Sequence, residues 1–383
     1  MSSLLELVAE QAAHSQALSS VIKAEILLSG GWISFERFMQ MALYQPTFGY
    51  YTGTLEKFGK NGDFVTAPEI SPLFAKCLAR QAAQILLATH GDILELGAGT
   101  GQLAFDLLIT LNELNQLPNH YYILEVSEYL HGIQQQKIIQ LPKNLADKVI
   151  WLNCLPESFN GLILANEVVD ALPVSLVKNT VNGLVEMGVA IENNQLIWVE
   201  KTLNSGALYE CAFVQMLPKN YQTEICLSAN GLINSLSECL NKGLILLIDY
   251  GFGEVEYYHP QRNEGTLMCH FRHLAHGNPL INLGHQDITA HVNFTQIAKA
   301  GTNAGCDLAG YTSQAFFLIN CGLTDFLKQI PAHDIAQYLP LTTAANKLVS
   351  PAEMGELFKV MALTKNLDIA LIGFTTGDKS HTL

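Results

Sequence analysis

Residues 92–108, DILELGAGTGQLAFDLL, constrain the fold of this chain more than any other stretch. Ile93 to Leu96 form a short apolar run of the kind that makes a buried strand in a parallel sheet. Gly97, Gly99 and Gly101 then alternate with Ala98 and Thr100, after which Leu103, Leu107, Leu111 and Leu114 recur at helical spacing. The stretch reads as strand, glycine turn and helix. Glycines in such a turn allow positive φ and let the backbone approach a ligand with no Cβ in the way. The pattern E-x-G-x-G-x-G differs from the dinucleotide fingerprint G-x-G-x-x-G, whose turn lays a pyrophosphate on the helix N-terminus. A second strand, Tyr121 to Leu124, ends in Glu125. That acid lies about 20 residues past the glycines, where a carboxylate can accept both hydroxyls of a ribose. A glycine turn followed by a solvated Glu is the plainer account, but the placed acid favours a nucleoside ligand.

The rest of the chain bounds this reading. With 383 residues it can bury a sizeable core and hold more than one domain. Hydrophobic residues make up 49% and charged residues 15%, the balance of a globular protein. The 35 acidic against 21 basic residues give a net charge of −14, which disfavours a nucleic-acid partner and favours a cationic one. Eight scattered cysteines lack C-x-x-C spacing and read as small buried hydrophobes in a reducing compartment. MSSLLELVAEQ has no basic n-region, and no apolar run approaches the roughly 18 residues of a membrane span. A soluble, cytoplasmic protein is expected, and a homodimer is compatible with the sequence.

Taken in order, residues 1–28 predict a helix with Leu4, Leu7, Val8 and Ala12 on one face. Ser34 can cap another, with Phe35, Phe38, Met39 and Leu43 as its inward stripe and Pro46 as its stop. The stretch from 44 to 74 is dense in Gly, Pro and aromatics and reads as a packed loop or a lid. After Glu125 a helix is expected over 128–139, with strands near 149–152 and 162–165, the latter ending in Asn166 and Glu167. Alternating strands and helices predict right-handed βαβ units and a parallel sheet. Glu95, Glu125, Asn153 and Asn166 all fall at carboxyl ends of strands, where such sheets gather their ligands. Residues 181–200 read as a hairpin turning at Asn193 and Asn194, and a helix near 229–241 leads to a strand from Gly243 to Ile248. Residues 252–292 lack periodicity and hold six of the twelve histidines, including His270, His273 and His276. Without Cys or carboxylate at defined spacing these read as a polar loop, not a metal site. Helices are expected near 292–304, 312–329 and 352–359, and two closing strands near 359–363 and 368–374 as an antiparallel edge. The expected division is therefore an N-terminal helical and lid-like region (1–90), a nucleoside-binding core with a hairpin insertion (91–251), a loop insertion (252–292), and closing helices and strands (293–383).

Together FGYYTG, GDFVTAPEISPLF, ELGAGTGQL, LEVSEYL, ILANEVVDALPV, LIDYG, GHQDITAHVNF and MGELFKVM resemble, in order, the motifs of the MidA family of S-adenosyl-L-methionine (SAM) methyltransferases. That family includes a mitochondrial arginine methyltransferase needed for assembly of respiratory complex I. The likeness spans nearly the whole chain. Where the family often carries Pro and Arg in its glycine motif, this chain has Ala98 and Thr100. The resemblance implies an α/β fold with the seven-strand, Rossmann-like sheet of class I SAM methyltransferases and an added helical and loop subdomain. It implies SAM as cofactor, held by Glu95, Gly97, Ala98, Gly99, Gly101, Glu125, Val126 and Leu155, with Glu95 facing the amino-acid end of the ligand through water. It further implies a protein substrate presenting an arginine.

An arginine substrate adds a chemical demand. Its guanidinium is protonated and delocalised, and carboxylates can orient it and draw its charge away from the attacking nitrogen. Glu167 and Asp170 follow the fourth strand and are the candidates for that role, with the Asn166 amide oxygen beside them. Asp170 reads equally well as a helix cap before Leu172 and Pro173. Asp63, Phe64, Glu69 and His291 are candidate substrate contacts, His291 as a proton acceptor. Two rival functions stand beside this one: a non-catalytic SAM-binding assembly factor, and a small-molecule or RNA methyltransferase. The intact glycines, Glu125 and Glu167 weigh against the first, and the acidic balance weighs against the RNA form of the second.

Overall fold

The computed structural model describes residues 7–53, 66–329, 331 and 333–383, and the statements below concern those residues. The chain forms two compact units. One takes Met1–Phe64, Asp170–Gly231 and Glu254–His291; the other takes Val65–Val169, Leu232–Gly253 and Val292–Leu383.

The second unit is built on a sheet whose main path has seven strands: β1 (Asp92–Leu96), β2 (Tyr121–Leu124), β3 (Val149–Leu152), β4 (Phe159–Asn166), β5 (Leu240–Phe252), β6 (Asp307–Ser313) and β7 (Phe358–Lys365). Their order is β6-β7-β5-β4-β1-β2-β3. Strands β1 to β5 run parallel, while β7 lies antiparallel to both β5 and β6. The two-residue strand Val292–Asn293 adds to β5. This is the class I methyltransferase sheet that the motifs imply. The central strands are buried on both faces, so Leu162, Ile163, Leu164, Leu244, Leu246 and Ile248 are fully enclosed. Helices Pro72–Thr89 and Gln102–Glu113 bury Phe74, Leu78, Ile85, Leu103, Leu107 and Leu111 in the same core. Where β1, β4 and β5 enter the sheet, a Cβ on Gly161 would lie 2.0 Å from the Asp92 carbonyl oxygen, and one on Gly243 would lie 1.9 Å from that of Gly161. Backbones pass too closely there for any side chain.

Strands β1 to β5 fall where the apolar runs place them, and β7 takes the closing strand expected near 359–363; the second closing strand does not form. The partner of β7 is β6, and the segment expected to be the last strand instead makes a short 3-10 turn, Ile372–Phe374. The single helix expected over 312–329 is two, Gln314–Asn320 and Leu323–Lys328, divided at Gly322, whose φ of 88° no regular helix accepts. The helix expected near 352–359 is a turn leading into β7, and an unexpected helix runs over Ile335–Val349 despite Pro340.

The first unit packs helix Ala9–Leu28 and helix Phe35–Tyr44 on a five-stranded antiparallel sheet. Ser34 caps the second helix by accepting the N–H of Arg37, and Phe35, Phe38, Met39 and Leu43 are fully buried as their spacing requires. Strands Gly183–Glu192 and Gln195–Thr202 form the expected hairpin, with Asn193 and Asn194 in the left-handed conformation at φ of 50° and 62°. Residues 252–291 carry more order than a loop: Met268–Phe271, Leu274–His276 and Asp287–Thr289 make a three-stranded sheet. In its hairpin His270 sits opposite Ala275 and His276 opposite Cys269, so the two imidazoles belong to opposite faces. Among the described residues no three His, Cys, Asp or Glu side chains are grouped to hold a metal. Leu4, Asp63 and Phe64 lie outside the described residues.

Candidate functional site

The site of the second unit begins where β1 ends. Gly97, Gly99 and Gly101 adopt φ of 59°, 53° and 81°, left-handed conformations that cost any other residue energy. Each glycine has its own reason. The N–H of Gly97 donates to the carbonyl of Leu124 at 3.0 Å, tying the turn to the end of β2, and a Cβ on it would press on Val168. Gly101 caps helix Gln102–Glu113, and a Cβ there would crowd the backbone of Gln134 at 3.3 Å. A Cβ on Gly99 meets nothing within 4 Å. The protein leaves that side of the turn open, which is the cradle a bound nucleoside requires. Ala98 is buried beneath it.

At the end of β2, Glu125 Oε1 accepts the N–H of Ser127 at 2.9 Å, and Oε2 accepts the Gln134 amide at 2.9 Å. Burial pushes this carboxyl up from its ordinary range, against the opposing pull of those two donors. Val126 beside it is 71% exposed, an apolar side chain offered to solvent or to a flat apolar ring. Leu155, beyond β3, is half-buried, and Asn153 is exposed. Glu95 lies at the end of the neighbouring strand β1. It is 2% exposed within the sheet, and the Tyr121 hydroxyl donates to its Oε2 at 2.7 Å. Burial raises its pKa to about 7.

At the end of β4 the chain turns through Glu167 with φ of 54°, a left-handed conformation that a non-glycine residue holds only under constraint. The constraint is visible: the Glu167 N–H donates to the carbonyl of Ile248 at 2.8 Å, and the Val169 N–H donates to Asp249 Oδ2 at 3.0 Å. Glu167 Oε1 accepts from the Asn166 amide at 3.2 Å and the Ala67 N–H at 3.4 Å. Asn166 Oδ1 is buried and meets no hydrogen-bond partner among the described residues. A buried acceptor left so costs about 1–3 kcal/mol, which a ligand's N–H or water can recover. Glu69, on the short helix Ala67–Ile70, accepts a hydrogen bond from the Thr100 hydroxyl. The segment Ala67–Ile70 is thus tied both to the glycine turn and to Glu167.

The first unit carries a second cluster. Asp170 is 7% exposed and opens a turn into strand Ser175–Thr180; no helix follows it, so the capping role falls away. Its carbonyl accepts the N–H of Ala290 at 3.0 Å. Tyr51 donates to Asp287 Oδ1 at 2.9 Å, Tyr44 donates to the carbonyl of Ala171 at 3.0 Å, and the two rings stack at 5.5 Å. Burial first, and then the charge of Asp287, holds the Tyr51 phenol well above its usual pKa; Tyr44 and Asp170 add to the effect. His291 is half-buried and donates its backbone N–H to the Thr266 hydroxyl, which itself donates to the buried Glu224. Sequence reasoning passed over Gln134, Asp249, Tyr51 and Asp287. The last two were readable only as parts of the motifs FGYYTG and GHQDITAH, since 236 positions separate them.

A turn with an open face, a ribose-ready acid, an exposed apolar neighbour and an orphan amide oxygen fit SAM. Comparison with known proteins agrees. The family model for S-adenosyl-L-methionine-dependent methyltransferases matches residues 77–312. Protein arginine methyltransferase NDUFAF7, mitochondrial, of Xenopus laevis is 28% identical over 367 residues, covering 88% of this chain and 82% of the relative. Its Homo sapiens counterpart is 28% identical over 370 residues, covering 88% and 80%. A crystal structure from Burkholderia thailandensis, bound to S-adenosyl-homocysteine, is 44% identical, covers 99% of both chains and superposes with a TM-score of 0.95.

Proposed function

The chain belongs to the family of S-adenosyl-L-methionine-dependent methyltransferases, and from that premise we propose that it methylates the guanidinium of a protein arginine. The activity named for its curated relatives supports the substrate. The observation that carries the reading is the β4 end, where a strained Glu167 and an orphan Asn166 oxygen stand together. A carboxylate and an amide acceptor are the groups a protonated guanidinium calls for, and the net charge of −14 draws in such a cation.

When bound, the cofactor supplies an electrophilic methyl on a sulfonium centre. The chain's part is alignment and proton handling. Glu125 and the glycine turn fix the nucleoside, so that the reactive end is held in one place. Asn166 and Glu167 orient the guanidinium, concentrating its positive charge on the nitrogens they bind and leaving another nitrogen better able to attack. The nitrogen that takes the methyl must give up a proton, and a carboxylate such as Glu167 can receive it. Asp170 and Asp287, backed by Tyr44 and Tyr51, form a second set of acids suited to a cationic side chain.

The target class implied by the MidA resemblance is a respiratory complex I subunit, and the proposed setting is cytoplasmic. Mass spectrometry of cell proteins with and without the gene tests the proposal: methylated arginines present only with the gene support it. Loss of the gene's phenotype on complementation by a SAM-binding variant that cannot turn over, with no arginine mark changed, would instead establish a non-catalytic assembly factor.

A further inference from the structure

Helix Glu128–Ile138 carries three consecutive glutamines, Gln134, Gln135 and Gln136, and only the first is buried. Gln134 is completely enclosed, and its amide is used at both ends. Nε2 donates to the Gly99 carbonyl at 3.0 Å and to Glu125 Oε2 at 2.9 Å, while Oε1 accepts the Trp151 indole N–H at 2.9 Å. Gly99 follows β1, Glu125 follows β2 and Trp151 lies on β3. One side chain therefore joins three successive strands at the edge where the nucleoside is held. A Met would fill the same volume but would take this partner from the Trp151 N–H, the Gly99 carbonyl and Glu125. The amide does something volume cannot: it fixes which oxygen of Glu125 faces which way, with the Ser127 N–H fixing the other.

We propose that Gln134 is a positioning residue that aims the Glu125 carboxylate at the ribose and so makes the site selective for an intact ribose diol. This rests on the reading of Glu125 as the ribose acid. Held by donors on both oxygens, the carboxylate cannot rotate freely and presents its remaining lone pairs in one geometry. Two adjacent hydroxyls match that geometry; one hydroxyl uses half of it. The Gly99 contact works in the same direction, because it holds the turn and the acid at a fixed spacing.

Calorimetry with S-adenosyl-homocysteine and its 2′-deoxy and 3′-deoxy analogues, on the full chain, provides the test. Wild type is expected to bind the parent ligand roughly tenfold more tightly than either deoxy form. Gln134→Met weakens binding of the parent on the order of tenfold and of the deoxy forms about threefold, because half of the interaction it spoils is already missing from them. Trp151→Phe, which frees only the far end of the amide, shifts the parent in the same direction by a smaller factor and decides the matter should Gln134→Met not fold. Equal losses for parent and deoxy ligands would show a general structural role and overturn the proposal, as would unchanged affinities. Wild type that binds all three ligands equally removes the ribose reading itself, a separate failure visible before any variant is made.

Discussion

Glu167 combines a strained backbone with a carboxylate at the end of the fourth strand, and strain of this kind clusters at functional sites. Glu167→Gln preserves the shape and removes the charge. Its melting temperature and SAM affinity are expected to stay near wild type while methyl transfer falls at least about tenfold, the effect of about 1.4 kcal/mol on the barrier. Wild-type turnover on a verified substrate would shift the clamp to Asp170, whose Asp170→Asn variant is the next measurement. Glu95 makes a different forecast. Its folded pKa of about 7 stands above the ordinary 4.5, so between those values the folded state holds a proton that the unfolded state has lost. Stability contributed by this group is therefore full below about 4.5 and declines as pH rises towards 7, by at most about 1.4 kcal/mol per pH unit. Denaturant titrations across that window should show the decline in wild type and a flatter profile in Glu95→Gln. Identical slopes in the two proteins would mean that Glu95 ionises without penalty.

Among the elements, the tight passage of β4 between β1 and β5 sets the harshest requirement. Gly161→Ala places a Cβ where Asp92 already has its carbonyl oxygen, at a φ of 130°, and should cost about 3 kcal/mol or more, measured by denaturant midpoint. The hairpin turn offers the opposite case: Asn194→Gly relieves a left-handed residue at φ of 62° and should raise stability by up to about 1 kcal/mol, visible as a higher melting temperature. These elements also show what the sequence can disclose. Strands β1, β4 and β5 were legible because burial on both faces demands a short apolar run, and β2 and β3, buried on one face, because each is a short run of apolar and aromatic residues. Strand β6, DLAGYTS, was not, since its Gly310 is there for a distant reason: a Cβ would meet the ring of Phe374 at 2.3 Å. Nor could the cluster of Tyr51 and Asp287 be seen, because only the folded chain brings them together. The glycine turn and Glu125 were legible because one local stretch sets each of them; Gln134 was not, because three glutamines in a row look alike until one is buried. The capping role weighed for Asp170 failed for a related reason: local preference anticipated a helix, and strand pairing with Tyr221–Ile225 claimed the segment instead.

Taken as a whole molecule, the chain carries a net charge of −14 that acts at a distance on whatever it meets. For a substrate presenting arginine, kcat/KM should fall as salt is raised, chiefly through KM, while SAM binding changes little; a salt-independent KM would remove long-range attraction from the account. Both units are assembled from separated stretches, and the strand that covers β5 on one side, β7, is made of Phe358–Lys365. A ribosome releases the chain from its N-terminal end, so β1 to β5 emerge with their glycine turn long before β7 exists. Until then β5 presents Leu244 to Ile248 as a bare apolar edge, open to pairing with any other strand in the cell. Every nascent copy passes through that interval, and a message cut short upstream of Phe358 leaves its product there for good, as a client for chaperones and proteases.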